Sequence, residues 1–238
     1  MSGVGGITAL TGLPGVMGAI RDAAARTGVD FSYLVAQARV ESGLDPEAAA
    51  RTSSARGLYQ FTSSTWLDVV RRHGAAHGLG WAADALKAGA PAQVKATILS
   101  LRTNAEAAAA MAAEFARDNA ARLEAAVGRA VGATDLYLAH FLGPAGAAKF
   151  LNALAATPDA AAASLFPAAA AANHKVFHAA DGQPRTLAEV YQRFAAKIEG
   201  QAAPAAAPVQ AAPSGATAPD VPATRARMAY MLLAELGG

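Results

Sequence analysis

The chain has 238 residues, 53% hydrophobic, 16% charged and 6% aromatic, enough for one globular domain with a core plus an appendage. A net charge of +2 without any basic run interleaved with aromatics argues against a nucleic-acid partner. The absence of cysteine excludes disulfides, thiolate metal sites and thiol nucleophiles. Much of the apolar content is alanine, which favours closely packed helices over sheets, so the expected fold class is all-α.

In chain order, the apolar start "MSGVGGITALTGLPGVMGAI" has its first charge at Arg21 and is broken by glycines and Pro14. It reads as neither a signal peptide nor a membrane span, and residues 1–27 are expected to be a leading segment with a first helix. "VDFSYLVAQARVESG" reads as a helix capped by Asp30 and ended by Gly43, with Phe31, Leu34, Val35 and Ala38 inward. "TSSTWLDVVRRHG" is a second, capped near Thr62 or Ser63, with Trp66, Val69 and Val70 inward. "NAEAAAAMAAEFARDNAARLEAAVG" predicts a long helix. "ATDLYLAHFLG" predicts a shorter one from Thr134 or Asp135 to Gly143-Pro144, with another following through Phe150 and Leu154. A turn at Asp181-Gly182 precedes a last core helix capped by Thr186. Ala/Pro-rich residues 201–222 form an expected linker. Residues 223–238 predict a short amphipathic helix, with Met228, Met231 and Leu232 on one side, suited to a protein partner but too short to span a bilayer.

Glu41 falls roughly 80° from the centre of its helix's apolar stripe, at the border of core and solvent. Loss of water there favours the neutral carboxyl, which suits a general acid. Sixteen positions after Glu41, Gly57-Leu58-Tyr59-Gln60 offers a backbone that a ligand can approach, an aromatic face and an amide. Asp45 and Asp68 are the nearest candidates for a second carboxyl, although Asp45 before Pro46 also suits a turn or cap. The pairs His73/His77 and His174/His178 have metal-ligand spacing but lack the HExxH glutamate and a third ligand, so no metal and no cofactor are expected.

Glu41-Ser42 followed by Gly57-Leu58-Tyr59-Gln60 resembles the Glu-Ser … Gly-Leu-Met-Gln signature of the soluble lytic transglycosylase family, related to goose-type lysozyme. The stretch "SSARGLYQFTSSTWL" is similar to its phage-like and proteobacterial branch. The family's third motif, Ala-Tyr-Asn-x-Gly, has its best counterpart in Ala139 to Pro144. There His140 stands in place of tyrosine and Phe141 in place of asparagine, and Tyr137 lies one turn earlier. The resemblance runs from Gly28 to Lys197 and implies a lysozyme-like helical domain over residues 28–200 that cleaves peptidoglycan glycan strands, in the periplasm or cell wall.

That resemblance also implies roles. Glu41 would protonate the bond between N-acetylmuramic acid and N-acetylglucosamine, then take the proton of the muramyl C6 hydroxyl as it closes a 1,6-anhydro ring. Ser42 would orient the Glu41 carboxyl or cap the helix. Gln60 and the Gly57-Leu58 backbone would hold sugar and acetamido groups. Tyr59 would stack on a saccharide or fill the core, and His140 or Tyr137 would place the reacting sugar or pack the helix. Two other readings are a muramidase on the same fold and a non-catalytic wall-binding or assembly protein.

Overall fold

The computed structural model describes residues 13–201. The linker expected beyond Gln201, the expected C-terminal helix and residues 1–12 lie outside the described residues. Two compact units emerge, dividing at Phe115 and Ala116. Among the described residues no strand forms, and extended pairing is confined to isolated bridges.

The first unit contains α1 (Leu13–Thr27), α2 (Phe31–Ser42), α3 (Ser63–His73), α4 (Gly80–Lys87), α5 (Ala92–Ser100) and the start of α6 (Ala105–Val127). Single-turn 3₁₀ segments follow α3, at Gly74–His77, and α5, at Leu101–Thr103. Asp30 caps α2 by accepting from the Tyr33 N–H at 2.8 Å, and Gly43 ends it in the left-handed conformation, with φ 65°, that glycine adopts without a Cβ clash. Thr62 caps α3, accepting from the Thr65 N–H. By contrast α4 and α5 start at Leu79 and Pro91 with no side-chain cap, and the sequence pattern predicts neither helix. Trp66 anchors this core, its indole N–H donating to the Ile98 carbonyl at 2.7 Å. Phe61 packs edge-on against both Trp66 and Phe115.

The second unit contains the rest of α6, then α7 (Ala133–Ala156), α8 (Ala162–Leu165), α9 (Pro167–Ala172), α10 (His174–Phe177) and α11 (Leu187–Glu199). The expected stop at Gly143-Pro144 is a sharp break inside α7, where Gly143 takes φ 71° and ψ 160° and Pro144 supplies no N–H. α11 opens with a capping box: Thr186 accepts from the Glu189 N–H, and the Glu189 carboxylate accepts from the Thr186 N–H. The turn around Asp181-Gly182 closes with a bridge between His178 and Pro184. Phe141, Phe177 and Phe194 cluster at its core. No helix among the described residues is long and apolar enough to cross a membrane.

Asp135 is the polar pivot of the second unit. It is 2% exposed and accepts from Arg129 at 2.7 and 3.2 Å, from the Gly132 N–H at 3.0 Å and from the Tyr191 hydroxyl at 2.9 Å. Burial opposes its ionisation, yet these donors outweigh burial and hold the carboxyl below its ordinary value of 3.8. Because the folded value is depressed, the stabilisation is present at neutral pH and lost as pH falls through about 4 and below. Asp135→Asn should therefore cost about 2–3 kcal/mol at pH 7, the Arg129 contribution being discounted for its exposure. Thermal melts across pH should show the gap between variant and parent narrowing steadily below about pH 4.

Candidate active site

α2 is enclosed on every side rather than along one stripe, since Tyr33 to Ala38 are all buried. Glu41, in its last turn, is 6% exposed. It is therefore inside the protein rather than at the expected border between core and solvent. Two polar residues share its helical row at four-residue spacing, Tyr33 and Gln37, and both are buried. Burial first, and then the charge of Glu41, push the Tyr33 phenol well above its ordinary range. The periodic argument from apolar residues passes over this polar row because it scores Tyr33 and Gln37 as interruptions.

The loop carrying Gly57 to Gln60 is tied to the end of α2. The Ser42 hydroxyl lies 2.8 Å from the Leu58 carbonyl oxygen and 3.1 Å from that of Ala38. Its proton is used on backbone, so Ser42 fastens loop to helix instead of orienting the Glu41 carboxyl. Within the loop, the Gly57 N–H donates to Ala48 O at 2.7 Å, while Gly57 O accepts from the Gln60 N–H at 3.0 Å and from Gln60 Nε2 at 2.9 Å. Both lone pairs of that carbonyl are occupied. The expectation that the Gly57 backbone holds sugar is corrected: its polar groups hold the loop itself.

Glycine is needed at position 57 for a different reason from the expected ligand approach. Its φ is 81°, and a Cβ there would overlap the carbonyl oxygen of Arg102 and lie 2.7 Å from its carbonyl carbon. The close neighbour is the protein's own backbone. Gln60 also takes a left-handed conformation, with φ 46°, stabilised by its amide donating to Gly57 O and to Ala48 O at 3.1 Å. Both amide hydrogens are thus engaged, leaving the Gln60 oxygen for contacts beyond the loop.

Tyr59 does not present a ring to solvent. It is 2% exposed and its hydroxyl donates to Leu34 O at 3.2 Å, so the saccharide-stacking expectation gives way to the core reading. Leu58 is buried likewise. Tyr137, in the second unit, has no exposed surface and packs edge-on against Phe194, which corrects the expectation that its ring contacts a sugar. His140 stacks on Tyr137 at 5.9 Å between centroids and is only half-buried.

The two other candidate carboxylates, Asp45 and Asp68, have other partners. Asp45 is exposed and accepts from the Glu47 N–H at 2.8 Å, a turn role. Asp68 is paired with Arg71 at 3.0 Å and Arg72 at 2.9 Å. Glu114 escaped the sequence reading inside an alanine-rich helix; it is buried and receives His77 Nε2 at 2.7 Å, with His73 Nδ1 3.6 Å away. The His73/His77 pair is thus organised around a carboxylate, and His174 and His178 stack on each other at 4.1 Å. Among the described residues no group of three or more His, Cys, Asp or Glu side chains is arranged so that it could hold a metal ion.

Residues 18–133 match the family model of the transglycosylase SLT domain. The match takes in Glu41, the Gly57–Gln60 loop, Arg102 and Glu114, and ends before Tyr137 and His140. The all-α architecture is the lysozyme-like one of that domain. Over residues 18–133 the chain thus carries a segment that matches the SLT domain of the lytic transglycosylases, which act on peptidoglycan.

Proposed function

We propose that Glu41 is the single acid and base of a peptidoglycan lytic transglycosylase that cleaves the β-1,4 bond between N-acetylmuramic acid and N-acetylglucosamine. The observation that carries this reading is the burial of the Glu41 carboxyl in the last turn of α2, within the region matching the SLT domain. A proton donor shielded from water transfers its proton to substrate without competition from solvent. The engagement of Asp45 in a turn and of Asp68 with two arginines supports a mechanism with one carboxyl.

In the first step the Glu41 proton moves to the glycosidic oxygen and the bond to the muramyl C1 breaks, with the neighbouring acetamido group stabilising the positive centre. The Glu41 carboxylate then accepts the proton of the muramyl C6 hydroxyl as its oxygen bonds to C1. The products are a free N-acetylglucosamine 4-hydroxyl and a 1,6-anhydromuramyl end. No water is consumed and Glu41 regains its starting state. The Gln60 oxygen is assigned to accept from a sugar hydroxyl or acetamido N–H.

Digestion of purified sacculi followed by mass spectrometry tests this reading. Anhydromuramyl ends, one water lighter than reducing ends, are the expected product. Reducing ends throughout would instead establish a muramidase, and no released fragments would favour a non-catalytic wall binder.

A further inference from the structure

Arg102 meets the Ser54–Phe61 loop twice. Its side chain, 8% exposed, donates from Nη1 to Ser54 O at 2.5 Å and to Phe61 O at 3.0 Å, and from Nε to Leu99 O at 2.9 Å. Ser54 and Phe61 are the two ends of the loop, so the guanidinium closes its neck. The Arg102 carbonyl, in turn, occupies the space where any residue but glycine at position 57 would carry its Cβ. The hydrogen-bond partners of this cation are carbonyl oxygens, and the charged group acting on it is Arg56, of like sign. Burial, and then Arg56, weaken its hold on the proton, yet an arginine stays charged. Burying a cation on neutral acceptors costs more than an apolar plug would. The guanidinium, however, holds three carbonyls from two rigidly placed nitrogens, Nη1 on Ser54 O and Phe61 O and Nε on Leu99 O, an arrangement that neither an apolar residue nor the single nitrogen of lysine reproduces.

The bonds form a continuous relay. Arg102 fixes the loop neck, the loop presents the Leu58 carbonyl, and Ser42 reaches that carbonyl from the last turn of α2, next to Glu41. We infer that Arg102 is a positioning residue for glycan cleavage, holding the Glu41-bearing turn in register through the Ser54–Phe61 loop and Ser42. The inference rests on the assignment of Glu41 as the acid and base.

The test compares Arg102→Lys, Ser42→Ala and Glu41→Gln with the parent on purified sacculi, at a temperature where circular dichroism shows every protein fully folded. Arg102→Lys is expected to lower kcat about 10- to 100-fold with KM little changed, the scale of a misplaced catalytic group. Ser42→Ala breaks the far end of the relay and should lower kcat in the same direction, so it serves even if the lysine variant fails to fold. Combining the two should cost no more than the larger single loss, as for members of one relay. Undiminished kcat per folded molecule in either single variant, with only the melting temperature lowered, would make Arg102 a structural staple and overturn the inference. An active Glu41→Gln variant would overturn the Glu41 assignment and the inference with it. An inactive one beside a fully active Arg102→Lys would sink the inference alone.

Discussion

Glu41→Gln is expected to reduce release of fragments from sacculi by at least about 1,000-fold, since one carboxyl serves as both acid and base and each role contributes about 10²–10⁴. The amide matches the carboxyl in size, so packing in the last turn of α2 is preserved. It also brings no charge to a position only 6% exposed, so the melting temperature should stay level. Binding to sacculi should be retained. Turnover kinetics, a pull-down on sacculi and a thermal melt of the same preparation check the three parts together. A variant clearing sacculi at the parent's rate would remove Glu41 from the chemistry.

Gly57→Ala should have the largest effect on stability of any single methyl added to the first unit's loops. The left-handed φ of 81° and the overlap with the Arg102 carbonyl act together. Backbone strain and overpacking each cost about 1–3 kcal/mol, so a loss of about 3–5 kcal/mol is expected, near 10 °C in melting temperature for a chain of this size. Relief requires the loop to move away from Arg102, which would lengthen the Ser42–Leu58 bond and lower activity even below the melting transition. Gly43→Ala provides the comparison. It shares a positive φ but has nothing within 4 Å of the added methyl, so it should lose only the conformational part, about 1–2 kcal/mol.

Much of the helical architecture was readable in the chain because its helices announce themselves chemically. Asp30, Thr62 and Thr186 are caps that accept from backbone N–H groups, and Gly43 and Gly143 break helices at the expected positions. α4 and α5 lack such caps and were invisible for that reason. Local signals identified the Glu41-Ser42 and Gly57–Gln60 segments but misjudged how their residues are used. Periodicity could not foresee that α2 is buried all round, nor that Tyr59 points into the core. The glycine at 57 signalled a close approach, yet the approaching group, Arg102, lies forty-five positions away in sequence. Arg102 and Glu114 acquire their roles only through tertiary neighbours, Ser54 and Phe61 for one and His77 for the other. Neither has a local motif that would betray it.

The most direct measurement is a crystal structure of the Glu41→Gln variant holding a tetrasaccharide of alternating N-acetylglucosamine and N-acetylmuramic acid. The account predicts the oxygen linking muramic acid to glucosamine within about 3 Å of the side chain at position 41, the reach of a proton transfer. It further predicts the muramyl C6 hydroxyl on the same side. A glycan seated with that oxygen out of reach of position 41, or with another carboxyl beside it, would contradict the account.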